Sequence, residues 1–255
     1  MEYRVHLNLA TTAAIVTLGI GVSLVTSVLV ASRAYASRGA EAARSDQTLT
    51  AKGSTRKRIV SDRAVWTVVV RGEHASLQEA YALLDSGAAR VREFLKVQGF
   101  QDAEVALGAI ATAIHYVRDA KGNETREIES YSLSRAIGVT TRDVMRVHRA
   151  AGEVTALIRD GVLVISAAPE YYYDDLPSLR VTLLGEASRD ARARAEEIAR
   201  NAGCRVAEVR SASMGVLQVT QPFSTDVRDY GAYDTSTIEK DVQAVVTVTF
   251  RVEPA

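Results

Sequence analysis

The apolar positions fall into one long run near the start and then into short blocks of changing period. Residues Leu7 to Ala31 (LNLATTAAIVTLGIGVSLVTSVLVA) carry no charge and are mostly apolar. At a rise of about 1.5 Å per residue, roughly 20 apolar residues cross the hydrocarbon core of a bilayer. The run predicts one N-terminal transmembrane helix, with Leu7, Ile15, Leu18, Ile20, Leu24, Val28 and Leu29 as its anchoring side chains. A cleaved secretory signal competes with this anchor, because Ala34-Tyr35-Ala36 before Ser37 has the small-x-small form of a cleavage site. The run is about ten residues too long for a typical signal, which favours the anchor. Arg4 lies before it, and Arg33, Arg38 and Arg44 lie after it, so flanking charge does not set its orientation. Residues 1–36 are assigned to the anchor and its flanks, 37–46 to a linker, and 47–255 to one α+β domain.

Beyond the linker the period alternates between strand and helix. Gln47–Gly72 reads as two strands broken around Ile59 to Arg63, the second rich in β-branched and aromatic residues. Ser76 with Glu79 has the form of a capping box. Leu77, Ala80, Leu84, Gly87, Ala88, Val91 and Leu95 then recur at helical spacing, and Gly99 stops the helix. Two strands, Asp102–Val117 and Glu127–Thr140, flank the turn-forming Asp119 to Asn123 and predict a long hairpin. Thr141 or Asp143 caps a second helix that ends at Asp160-Gly161, and Val162–Ala168 is a further strand. A third helix starts near Pro177, runs to Asn201 and stops at Gly203. Arg205–Val219 and Lys240–Val252 close the chain as strands around a long loop, Gln221 to Thr237. The order ββαββαβαββ predicts an α+β fold of antiparallel sheets with helices packed on one face, preceded by one N-terminal transmembrane helix. The last helix and its flanking strands resemble the earlier strand–helix–strand unit, which hints at two related halves.

Composition changes this picture little. The chain is 47% hydrophobic and 24% charged, as is ordinary for a globular protein. Its 31 basic and 31 acidic residues cancel, which argues against a nucleic-acid partner. Cys204 is the single cysteine, so no internal disulfide forms, and its place beside a helix stop reads as a small buried residue. The four histidines have no metal-ligand spacing, and no nucleophile elbow or glycine-rich phosphate loop is present. These readings predict no catalytic residues, no metal, no cofactor and no enzyme activity.

Several segments together resemble the SIMPL-domain family (also called DUF541), bacterial envelope proteins that include a periplasmic antigen of Brucella. The first strand holds Ala51-Lys52-Gly53-Ser54, then Thr55-Arg56-Lys57 and Asp62-Arg63-Ala64. The first helix ends in Lys96-Val97-Gln98-Gly99-Phe100. A tyrosine-bearing strand follows, Ser130-Tyr131-Ser132-Leu133-Ser134. The late helix carries the alanine-rich run Ala191 to Ala199, and the last strand is Ala244 to Phe250. The likeness covers residues 47–253. It departs at Arg194, where the family has lysine, in the loop Gln221–Thr237, and in the long N-terminal run. The resemblance implies a bacterial envelope location with the domain outside the cytoplasm, no enzyme activity, and in some members a large ring-like or channel-like homo-oligomer linked to envelope stress.

Two segments stand out as candidate contacts. Tyr171, Tyr172 and Tyr173 precede Asp174 and Asp175; on a strand they alternate sides, so at least one faces outward. Tyr230 and Tyr233 sit in the long loop with Asp226, Asp229 and Asp234. Such carboxylates suit calcium, but their spacing fits no EF-hand; a solvated loop is the default reading, and an oligomer contact ranks ahead of a metal site. Glu186 to Arg200 reads as a solvated face with pairs such as Arg192–Glu196. The expected function is a membrane-anchored envelope protein of the bacterial inner membrane, single-pass, its domain in the periplasm, assembling with itself. The alternative is an extracytoplasmic binding module that presents a partner or ligand site through Tyr171–Tyr173.

Overall fold

The computed structural model describes residue 23 and residues 25–34, 47–225 and 229–255. Most of the predicted anchor, including Leu7, Ile15, Leu18, Ile20 and Leu24, lies outside the described residues, as does the linker 37–46. Residues 25–34 are helical, with Val28 and Leu29 exposed. Among the described residues no helix is long and apolar enough to cross a membrane.

The elements are β1 (Thr48–Val60), β2 (Arg63–His74), α1 (Leu77–Val97), β3 (Val105–Arg118), β4 (Glu124–Thr141), α2 (Val144–Glu153), β5 (Leu163–Ser166), β6 (Glu170–Tyr172), α3 (Leu176–Asn201), β7 (Cys204–Met214), β8 (Gln218–Thr220), β9 (Ala232–Tyr233) and β10 (Glu239–Pro254). One sheet has the order β3-β4-β2-β5, with β6 also on β2, and its β2 pairings with β4, β5 and β6 are all antiparallel. The other has the order β1-β10-β8-β9, with β7 also on β10. The fold is α+β with largely antiparallel sheets; β8 and β9 pair in parallel.

The chain forms two compact units. The larger comprises Ser54–Ala187 and Met214–Val245. Its main core shows why helices cover one face of the first sheet. In β2 the buried residues are Ala64, Trp66, Val68, Val70 and Gly72, alternating with less buried ones, as a strand with one covered face requires. The first four pack with Leu84, Val91 and Leu95 of α1 and with Val147 and Ala150 of α2. A second cluster joins Leu179 and Leu183 of α3 to Ile59, Val219, Val242 and Ala244. The smaller unit comprises the described residues of Met1–Gly53 with Ser188–Ser213 and Val246–Ala255. There Arg251 forms an ion pair with Glu208, Nε to Oε1 2.6 Å, Thr50 meets Thr249 at 2.9 Å, and Ala191, Ala195 and Ala199 bury one face of α3.

Element boundaries follow local chemistry, with instructive departures. Asp119 folds the β3–β4 turn by accepting the amides of Lys121 and Asn123. Thr141 and Asp143 share the start of α2: the Thr141 hydroxyl accepts the Asp143 N–H, and Asp143 accepts that of Arg146. Gly99 ends α1 at φ 86°. The predicted Ser76–Glu79 capping box does not form. The Ser76 hydroxyl bonds Gln78 and its N–H donates to His74 Nδ1, while a capping box joins Gln101 and Glu104 instead. The second helix becomes a 3-10 turn from Val154 to Asp160, and the strand predicted from Asp102 opens with a 3-10 turn before β3.

At Gly72 the backbone of α1 passes close over β2. A Cβ there falls 2.3 Å from the Ala80 carbonyl oxygen and 2.6 Å from the Leu84 nitrogen, both backbone atoms that cannot swing aside. Gly72→Ala is expected to cost about 1–3 kcal/mol or more by forcing the helix off the sheet. Gly152→Ala, in open space within α2, is expected to be neutral or stabilising by up to about 1 kcal/mol. Denaturant midpoints at constant m-value compare the two.

Candidate functional site

The site grows from Lys240 and Asp241, two consecutive charged residues near the start of β10. Successive side chains of a strand point to opposite faces, so Lys240 and Asp241 reach opposite halves of the loop 221–237. Lys240 is fully buried; its ammonium donates to Asp234 Oδ2 at 3.3 Å and to the Thr237 carbonyl. Asp234 also accepts the Ser236 hydroxyl at 2.7 Å, the Thr237 hydroxyl and the Ser236 and Thr237 amides. Burial pushes the Asp234 carboxyl up, but these donors and the Lys240 ammonium outweigh it and hold the group well below the usual carboxylate range. Burial pulls the Lys240 ammonium down from its ordinary value, and Asp234 opposes that pull.

Asp241 holds the other half. It accepts both Nε and Nη2 of Arg58, at 2.9 and 3.2 Å, and the Phe223 N–H at 3.3 Å. The Arg58 hydrogen bonds hold its carboxyl below the ordinary range. The Arg58 guanidinium lies 4.5 Å over the Phe223 ring, which is 83% exposed. Phe223 has φ 64°, a left-handed backbone that a bulky residue adopts only when its surroundings impose it. Strain of this kind clusters at ligand clamps and switch regions.

Between the two held halves lies an open cleft of about 360 Å³, lined by Thr220, Gln221, Ser224, Tyr233, Asp234 and Ser236 among others. Gln221 Nε2 donates across it to the Ser236 hydroxyl at 3.1 Å. With Asp234 committed to Lys240 and its hydroxyl donors, the rest of the lining among the described residues is uncharged: polar Thr220, Gln221, Ser224, Thr235 and Ser236, apolar Val219 and Ala232, and the Tyr233 ring. Through Tyr233 the two predicted tyrosine segments meet beside the cleft: the Tyr172 and Tyr233 ring centroids are 6.2 Å apart at 31°. The Tyr172 hydroxyl donates to Glu170 at 2.7 Å, which pushes its phenol up.

The predicted contact residues therefore divide. Tyr171 is 3% exposed, its hydroxyl 3.2 Å from His148 Nδ1, so it belongs to the core and offers no outward surface. Tyr173 is half-buried against the α3 cluster. Tyr172 is half-buried, Tyr233 is 44% exposed and Tyr230 is 99% exposed. Asp226 lies outside the described residues, and among the described residues no three His, Cys, Asp or Glu side chains gather as a metal ion would need. Cys204 is half-buried rather than buried, its thiol donating to the Ala202 carbonyl. Arg192 and Glu196 pair at 2.8 Å on an exposed helix face, as their spacing predicts.

The SIMPL family model, described as a protein of unknown function (DUF541), matches residues 49–250. The chain belongs to the SIMPL family. That span runs from β1 through most of β10 and includes the whole cleft. No curated protein matches the chain. In this SIMPL domain, sequence reading missed Arg58, Phe223, Lys240 and Asp241. A signal was present: Glu239-Lys240-Asp241 places three consecutive charges at the start of the last strand, directly after a long loop. Arg58 carried no such signal, because its partner lies 183 residues away.

Proposed function

We propose that this SIMPL domain is a non-enzymatic binding module of the bacterial envelope, anchored by Leu7–Ala31 in the inner membrane with residues 47–255 in the periplasm. The observation that carries the binding role is the cleft of loop 221–237. It presents hydroxyls, an amide and the Tyr233 ring on a loop held at both halves by buried charge. Neutral donors and acceptors beside an aromatic face suit an uncharged, hydroxyl-rich ligand, the chemistry of a saccharide. The anchor reading is supported by the length of the uncharged run, and the location by the family likeness. The non-enzymatic reading is supported by how the shifted groups of the described residues are spent: Asp234 pairs with Lys240, and Arg58 pairs with Asp241.

Calorimetric titration of the domain with neutral N-acetylglucosamine oligomers tests this. Saturable binding is expected, weakened about fivefold or more by Tyr233→Ala, the loss of about 1 kcal/mol typical of a contact aromatic. Tyr233 is 44% exposed, so the variant keeps the fold. Absence of binding, or binding indifferent to Tyr233, contradicts the assignment.

Self-assembly is a second role of the same chain. It is supported by β3, an outer strand of the first sheet with no Asp, Glu, Lys or Arg between Val105 and Val117.

A further inference from the structure

Unpaired strand edges are normally blunted by charge or by short length. The other edges obey this. β1 carries Lys52, Arg56, Lys57 and Arg58, β7 carries Arg205, Glu208 and Arg210, and β5 and β6 are four and three residues long. β3 does not. Its 14 residues pair with β4 on one side only among the described strands, and the pairing is regular from Ile110 to His115 between bulges at either end. Ala111, Thr112, Ala113 and Ile114 are all exposed along this regular run.

We propose that β3 pairs antiparallel with β3 of a second copy of this chain, about a two-fold axis at Thr112; this rests on the self-assembly reading above. A two-fold interface sets residue i against j and j against i, so it favours a strand that reads alike in both directions. Ile110-Ala111-Thr112-Ala113-Ile114 does so. Pairing about Thr112 sets Ile110 against Ile114 twice, Ala111 against Ala113 twice, and the two threonines against each other, all favourable cross-strand pairs.

The same register covers exposed apolar surface. Ile110, Thr112 and Leu133 line an open groove of about 460 Å³ with Leu77, Gln78 and Tyr81. Leu77 and Tyr81 are 42% and 50% exposed there, and Ile114 is 44% exposed. The second copy's Ile114 arrives opposite Ile110, on the face that carries this groove. No like charges face each other along the regular run.

The test uses the full chain with Cys204→Ser. Opposed residues of an antiparallel pair have Cα atoms about 4.5–5.5 Å apart, within disulfide range. Thr112→Cys is expected to cross-link into a dimer under mild oxidation, and Ile114→Cys, which faces Ile110, is not. Thr112→Lys sets two ammonium groups together and is expected to raise the concentration for self-association about tenfold or more by light scattering. A wild type that associates while Thr112→Lys associates equally and Thr112→Cys stays uncross-linked overturns the β3 interface and leaves self-assembly standing. A wild type that remains monomeric at high micromolar concentration overturns self-assembly as well. Thr112 is exposed, and circular dichroism checks that each variant is folded.

Discussion

Asp234→Ala is expected to lower unfolding stability by about 3–5 kcal/mol, the cost of leaving one charge of a buried pair without its partner. The Lys240 ammonium has no solvent exposure, and without Asp234 it keeps only the Thr237 carbonyl among its partners in the described residues. The hydroxyls of Ser236 and Thr237 lose an acceptor in the same step. Chemical denaturation measures the loss. Arg192→Ala, which breaks an exposed helical pair, is expected to cost no more than about 0.5 kcal/mol. The pH dependence follows from the direction of the Asp234 shift. A carboxyl held below its unfolded value near about 3.9 contributes stability above that pH and loses it as pH falls through the folded value. Wild type is therefore expected to weaken steeply below about pH 4, and Asp234→Ala to show a flatter acid limb. An equally steep acid limb in the variant contradicts the assignment of that loss to Asp234.

Trp66→Ala is expected to cost about 3–5 kcal/mol. Trp66 is 1% exposed in the middle of β2, between α1 and α2. Its indole N–H donates at 3.1 Å to the Ser166 hydroxyl, which in turn donates to the Ala151 carbonyl at 3.2 Å. The ring thus fills the main core and connects β2, β5 and α2. Alanine leaves a cavity that these regular elements cannot close. Trp66→Phe retains most of the volume and loses the hydrogen bond, for an expected cost nearer about 1–2 kcal/mol. Thermal unfolding separates the two, at about 2–4 °C per kcal/mol for a domain of this size.

The parts of the fold that short-range pattern determines were legible. Ala64, Trp66, Val68 and Val70 share a face because a strand has period two. Leu84, Val91 and Leu95 share one because a helix has period 3.6. Asp119 and Gly99 act within a few residues of themselves, so their roles could be read directly. What failed depended on distant neighbours or on local competition. Ser76 looked like a cap, but His74 and Gln78 compete for its polar groups. Alternation required one of Tyr171–Tyr173 to face outward without saying which; the pairing of β6 with β2 turns the Tyr171 ring into the core. Gly72 looked like a strand end, and only the crossing of α1 shows why a side chain cannot stand there. The cleft was half legible. Tyr172, Tyr233 and Asp234 were singled out in separate segments, while the clamp of Lys240, Asp241 and Arg58 depends on pairings that no local period encodes.

The central claim is that the loop 221–237 is a ligand face held in place by charge buried beneath it. Amide chemical-shift mapping during titration with N-acetylglucosamine oligomers tests it most directly. Shifts are expected to concentrate at Gln221, Ser224, Tyr233 and Ser236, with little change along β3. Shifts absent from these residues, or centred on another surface, would contradict it.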